Sequence, residues 1–319
     1  MEFELTIKNG DKLYIPPVPG EVTWSTDRKG APGKLEFSVV PDDDINFTEG
    51  DPVRLTVNNE NVFYGFIFSK KRDKKQQVDF TAFDQLRYLR NKDTYVYKDK
   101  TASDVIKMIA GDFKLNVGSI EDTEYKIASR VEDNSSLFDI IYNALDLELT
   151  NKKKMYVLYD EFGKLTLKSL DNMKLDLLID EETGENYSYE SSIDDQTYNK
   201  IKLSFDNEET GKRDIYIAQD GEHINTWGVL QHYDKLQKGE NGEAKADALL
   251  TLHNVKTRRL KITKALGDVR VRAGYMVVVK LALGDVKVQN YMLVERCVHK
   301  FSESEHWMDL TLRGGEFVG

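Results

Sequence analysis

CVHKFSESEHWMDLTLRGG, residues 297–315, places the only cysteine of the chain, two of its five histidines and three carboxylates within one short stretch. Three readings compete for it: a metal site, a catalytic centre and a pair of strands. A zinc site needs three or four Cys, His or carboxylate ligands converging on one point, and Cys297, His299, Glu303, Glu305, His306 and Asp309 offer the right residue types. The period argues otherwise. Met308, Leu310 and Leu312 alternate with Asp309, Thr311 and Arg313, the two-residue repeat of a half-buried strand. Upstream, YMLVERCVHKF is rich in aromatic and β-branched residues, and SESE is a polar turn. Two strands and a turn explain every position, so the expected assignment is no metal, no cofactor and no catalytic residue. Cys297 and His299 share a strand face, where cysteine acts as a small buried hydrophobe.

Working outward, 319 residues suffice for two or three domains, and 40 % hydrophobic with 31 % charged residues is an ordinary globular balance. MEFELTIKNG lacks the basic and apolar regions of a secretory signal. No apolar run approaches the ~20 residues that span a bilayer, so no membrane insertion is expected. A single cysteine forms no disulfide within the chain, which fits a reducing cytoplasm. The net charge of −10 disfavours nucleic acid, whose binding is driven by clustered Lys and Arg. The basic runs KKRDKK (70–75) and NKKK (151–154) read as solvated hairpin tips that discourage strand aggregation, and the acidic runs 42–44 and 180–182 as solvated loops. Asp42, Asp44 and Asn46 have calcium-loop spacing, but Phe47 stands where such a loop needs Gly and Val53 where it needs Glu.

Residues 1–92 contain seven short strand-like runs separated by Gly, Pro, Asn and Asp, the pattern of a first β-barrel or sandwich. Residues 93–182 differ. TASDVIKMIAGDF carries Val105, Ile106, Ile109 and Ala110 at helical spacing with Thr101 or Ser103 as cap. NSSLFDIIYNALDLE carries Leu137, Ile140, Ile141 and Ala144 behind Ser135 or Ser136, and 155–170 reads as a hairpin. This is a small α+β domain. Residues 183–319 return to strands as a second β-barrel domain, with a polar connection near 227–243 and an inserted helix near 244–258 carrying Ala248, Leu249, Leu252 and Val255. His253 on that helix has no second ligand at helical spacing and reads as a boundary residue. The fold class expected is α+β, mostly β, with two related barrel or sandwich domains flanking the α+β domain.

The two barrels echo each other. EGDPVRLTV (49–57) aligns with AGYMVVVKL (273–281), and VFYGFIFSKKRDKKQQVDFTAFD with QNYMLVERCVHKFSESEHWMDLTLRG. Gly50 falls on Gly274, Tyr64 on Tyr291, and Asp79-Phe80-Thr81 on Asp309-Leu310-Thr311. A duplicated supersecondary plan leaves this trace. Three copies of a two-barrel chain would place six similar barrels in a ring, able to face a sixfold partner on one side and a threefold partner on the other.

WGVLQHYDKLQ (227–237), the helix AKADALLTLHN, LKITKALGDVRVRAGYMVVVKL and HKFSESEHWMDLTLRG together resemble the C-terminal half of XkdQ-like baseplate hub proteins of contractile phage tails and phage-tail-like particles. VTWSTDRKGAPGKLEFSVV and KTASDVIKMIAGDF are similar to the earlier part of that family, so the resemblance runs along nearly the whole chain. It implies a structural protein and not an enzyme, a homotrimer that adapts a sixfold tail tube to a threefold spike. The implied partners are the tail tube protein, the central spike protein and other baseplate proteins. The implied location is the bacterial cytoplasm during assembly and then the virion or particle baseplate. The family carries no catalytic residue over to this chain.

Two other classes stand as alternatives. A carbohydrate- or receptor-binding β module could stack sugars on Trp24, Trp227 and Trp307, although strand aromatics ordinarily serve as core or cross-strand partners. A peptidoglycan hydrolase needs only two carboxylates, but the chain has no Gly-rich phosphate loop, G-x-S-x-G elbow or H-E-x-x-H pair.

Overall fold

The computed structural model describes residues 2–40, 47–72, 74, 77–194, 196–207, 211–236, 240–282 and 287–314. The acidic positions Asp42, Asp44 and Asn46 lie outside them. The first stretch folds into β1 (Phe3–Asn9), β2 (Lys12–Tyr14), β3 (Val22–Asp27), β4 (Lys34–Val39), β5 (Pro52–Val57), β6 (Glu60–Arg72) and β7 (Val78–Phe83). Alternation directs their faces. In β4, Leu35, Phe37 and Val39 are buried between partly exposed neighbours, as a strand with one wet face requires. Val53, Leu55, Ile67, Phe80 and Ala82 complete that core.

A short 3₁₀ turn, Gln85–Arg90, leads into β8 (Lys92–Lys100), α1 (Ala102–Asp112), β9 (Val117–Ile120), β10 (Ile127–Ser136), α2 (Leu137–Lys152), β11 (Tyr156–Asp160) and β12 (Leu165–Ser169). Thr101 caps α1 in a capping box with Asp104, and Ser136 caps α2 by accepting from the Asp139 N–H; each satisfies helix N–H groups that would otherwise lack partners. Both helical stripes read from the sequence are buried in one core with Leu158, Leu165 and Leu167.

The β11–β12 turn puts Phe162 at φ 49° and Gly163 at φ 80°, the left-handed pair that suits the twist of a tight hairpin. A Cβ on Gly163 would meet Tyr64 Cδ1 at 2.6 Å, because the turn packs on β6 with Phe162 5.8 Å from the Tyr64 ring. Gly163→Ala should therefore cost about 1–3 kcal/mol through backbone strain and a displaced tyrosine. Chemical denaturation would measure it, and a neutral result would mean that the turn does not seat against β6.

The remaining chain forms β13 (Lys174–Ile179), β14 (Gly184–Ser192), β15 (Lys200–Asn207), β16 (Lys212–Gln219), α3 (Gly221–Trp227), β17 (Gln231–Lys235), α4 (Gly242–His253), β18 (Thr257–Leu266), β19 (Met276–Ala282), β20 (Lys287–Phe301) and β21 (His306–Gly314). Strands β16, β15 and β17 make a separate three-stranded sheet, with α4 packed on it through Ala246, Leu249 and Leu250. Two details differ from the sequence expectation. The connection at 227–243 contains β17, which pairs in parallel with β15; its side chains are mostly exposed, so backbone bonds hold it and no apolar period announces it. The inserted helix starts at Gly242 behind Asn241 and ends at His253, short of 258, because the chain must turn at Asn254 to enter β18.

Strands β1 to β7 and β13, β14 and β18 to β21 join in one 13-stranded sheet, along which the order is β14-β18-β21-β20-β3-β4-β7-β6-β5-β1-β2. β13 and β19 complete it, β19 pairing with both β13 and β20.

Candidate assembly site

The sequence echo is a structural repeat in register. In the first half, strands 1, 3, 4, 5, 6 and 7 line up as β3-β4-β7-β6-β5-β1, and in the second half β13, β14, β18, β19, β20 and β21 line up as β14-β18-β21-β20-β19-β13. Each half thus follows the same order. Gly50 and Gly274 hold φ 95° and 96°. The Gly50 N–H donates to the Ile67 carbonyl at 2.8 Å, and the Gly274 N–H donates to that of Val294 at the same distance. Arg54 lies opposite Tyr64 and Val278 opposite Tyr291, each four residues after its glycine. The bulge between Ile67 and Ser69 recurs between Val294 and Arg296, and Lys71 opposite Asp79 corresponds to Val298 opposite Asp309. The halves differ in their last pairing: β1 pairs antiparallel with β5, whereas β13 pairs parallel with β19.

The halves meet where β20 receives β3. One edge of β20 pairs with β21 from Met292 to Phe301. Its other edge pairs with β19 up to Leu293, and from Arg296 to Phe301 with β3, from Asp27 to Val22. Arg296 donates to both carboxylate oxygens of Asp27 at 2.8 and 2.7 Å. Trp24 stacks on His299 with ring centroids 4.8 Å apart. Phe301 is fully buried among the first half's core residues.

The residues of the opening stretch therefore build this joint. His299 Nε2–H donates to the Val271 carbonyl at 2.7 Å, which leaves its Nδ1 to accept from His306 Nε2–H at 2.8 Å. Burial, reinforced by the neighbouring His306, pushes the His299 pKa down to about 3, and burial takes His306 to about 4, so both rings are neutral at pH 7. Burial raises the Cys297 thiol well above its ordinary range, the opposite of what a nucleophile needs. Among the described residues no group of three or more His, Cys, Asp or Glu is arranged to hold a metal ion.

Arg272, in the segment before β19, bridges three parts of the molecule. Its guanidinium lies 5.8 Å from the Trp24 ring and 4.3 Å from that of Tyr159, a cation–π geometry. Burial raises the pKa of Asp84 and Asp160 above the ordinary carboxylate range, and Arg272 offsets part of that rise. Asp84 accepts from the N–H groups of Gly33 and Leu86, and Asp160 from Gln85 and the Gly163 N–H. Sequence reading missed Arg272, Asp84 and Asp160, since nothing local distinguishes them from surface charges.

The other sequence candidates do not converge. Trp227 stacks on His223 in α3, Trp307 on β21 donates to Glu305 just before that strand, and Trp24 is buried in the joint. His253 faces the Tyr198 ring and the Gln196 carbonyl. A cavity of about 390 Å³ between α2, α4 and the second half is lined by Arg28, Asp146, Glu295 and Arg313 among others. Arg28 pairs with Glu295 at 2.8 Å and Lys29 with Asp146 at 3.1 Å, so its charges knit the seam between elements.

Among the described strands, β14 ends the sheet path at the end opposite β2 and pairs only with β18, and β6 beyond Ile67 pairs with β7 alone.

The chain shares its fold with phage tail proteins. The 43 kDa tail protein of prophage MuSo2 from Shewanella oneidensis superposes with a TM-score of 0.72 at 10 % identity, over 97 % of this chain and 98 % of that one. The chain belongs to the YQBQ-like family, whose profile matches residues 22–313. It is 30 % identical over 271 residues to Bacillus subtilis (strain 168) YqbQ, covering 82 % of this chain and 81 % of that protein. It is 28 % identical over 312 residues to the phage-like element PBSX protein XkdQ of the same strain, covering 94 % of each.

Proposed function

We propose that the chain is a structural hub protein of a contractile phage tail or tail-like particle, three copies closing into a ring that joins a sixfold tube to a threefold spike. The observation that carries this reading is the in-register repeat whose halves are already joined strand to strand within one chain. A head-to-tail joint of that kind either closes into a ring or runs on as a filament. Three two-unit chains give six near-equivalent positions toward a tube and three identical ones toward a spike. Relationship to a protein of a phage-like element supports the tail setting, and with it partners among baseplate proteins and a final location in the particle.

The proposed domains are a first barrel at 1–92, an α+β domain from 93, and a second barrel. The α+β domain is proposed to run to about 182 and the second barrel from 183, and the pairing of β13 with β19 supports counting β13 with the second barrel. The role is non-enzymatic: buried, neutral Cys297 and His299 act in packing. Among the described residues no helix is long and apolar enough to cross a membrane.

Light scattering across a concentration series tests the ring. The expected species has about three times the 36.7 kDa chain mass, with dissociation on dilution through interfaces of ~1,200–2,000 Å². A monomer at every concentration, with tube and spike proteins also present, would overturn it.

A further inference from the structure

We infer that the β3–β20 joint inside the chain is repeated between chains: β14 of one copy adds to the open edge of β6 in a second copy, in a register that the internal joint dictates. The inference rests on the ring reading and specifies its contact.

The two edges are matching halves of one joint. β14 corresponds to β3, which has neighbours on both sides, β4 and β20, whereas β14 has only β18. β6 corresponds to β20, and its residues 69–72 occupy the place where β20 takes up β3. Within the chain these edges stand seven strand steps apart along the sheet and do not pair with each other. An open strand edge is a template for another strand, and here the strand that fits it is the one at the far end of the same sheet.

Register follows residue by residue. Thr23 opposite Glu36 matches Ser188 opposite Lys261, since Glu36 and Lys261 face the corresponding Thr81 and Thr311. Trp24 then corresponds to Tyr189, and Ser25 to Glu190. On the other side, Tyr64 matching Tyr291 makes His299 correspond to Arg72 and Val298 to Lys71. Trp24 lies opposite His299 and Ser25 opposite Val298. Between copies, Tyr189 therefore lies opposite Arg72, and Glu190 opposite Lys71.

Chemistry agrees with that register. The Trp24–His299 stack becomes an arginine over a tyrosine ring, a favourable cation–π pair. Ser25–Val298 becomes a carboxylate facing an ammonium, a favourable cross-strand pair. Glu190, Lys71 and Arg72 are all exposed. Charges that merely guarded an edge would need no acidic complement at the matching position.

Disulfide trapping tests the register in the full-length protein. Directly opposed residues in an antiparallel pair sit ~4.5–5.5 Å apart between Cα atoms, within disulfide reach. A chain carrying Lys71→Cys and Glu190→Cys should give covalent dimers and trimers on oxidation. Lys71→Cys with Ser188→Cys, two residues out of register, should give about tenfold less. Separately, Glu190→Lys should weaken assembly about tenfold or more, equivalent to about 1.4 kcal/mol, and adding Lys71→Glu should restore it. A protein of trimer mass that cross-links equally in both registers, or that ignores Glu190→Lys, would overturn this contact and leave the ring standing. A monomer that never cross-links, even with tube and spike proteins present, would overturn both.

Discussion

Phe301→Ala should lower unfolding stability by about 3–5 kcal/mol, the usual cost of emptying a large buried aromatic site. Phe301 is the last residue of a second-half strand, yet its ring is fully buried in the first-half core. It sits opposite Val22, 6.4 Å from the Phe3 ring and 4.4 Å from that of His306. Neighbouring strands cannot close over the void, because β3 is held on one side by β4 and on the other by β20 itself. Urea denaturation followed by tryptophan fluorescence is the measurement, since Trp24 lies in the same stack. Because a chain of this size need not unfold in one step, the informative signal is the transition that reports Trp24. A loss below about 1 kcal/mol would show that the two halves do not share a core through this residue.

Acid should loosen the same joint. The free imidazole titrates near 6.5, while the folded joint holds His299 at about 3 and His306 at about 4. Between those values the unfolded chain binds more protons than the folded one. Stability is then full above pH 6.5 and falls as the pH drops toward 3. For the fully buried His299 the whole loss is on the order of 4–5 kcal/mol, at 1.36 kcal/mol per unit of pKa shift. The charged groups around it do not cancel the effect: Asp268 favours the protonated ring, whereas Arg272 opposes it. Protonating His299 also removes the acceptor in the His299–His306 hydrogen bond, and protonating both rings sets two cations side by side. His299→Gln keeps a donor for the Val271 carbonyl and cannot titrate. Its stability should fall about 1 kcal/mol less per pH unit between pH 6 and 5 than that of the parent. Equal slopes would assign the acid sensitivity to other groups.

Much of the architecture was legible locally. Helices α1 and α2 were readable because each carries a capping side chain and a four-residue apolar stripe, and both features come from short-range geometry. The β20–β21 hairpin was readable from the alternation in Met308, Leu310 and Leu312, which are all buried. β17 was not, because a strand held at one edge by backbone bonds and wet on both faces leaves no mark on side-chain order. Arg272 was not, because its partners Trp24 and Tyr159 lie more than a hundred residues away in the chain.

The sequence by itself determined the repeat. Gly50 and Gly274 each need the left-handed backbone that only glycine adopts without strain, and the matched tyrosines and Asp-x-Thr triplets follow from the same strand register. It also determined that Cys297 and His299 share one face. Only the tertiary structure decided what that face meets: a strand from the start of the chain, bringing Trp24 onto His299 and Val22 beside Phe301. Strand pairing across such a distance is selected by the summed burial and hydrogen bonding of whole edges. No single residue carries that information, so it becomes visible only when the edges are together, with one pair joined and its counterpart still open.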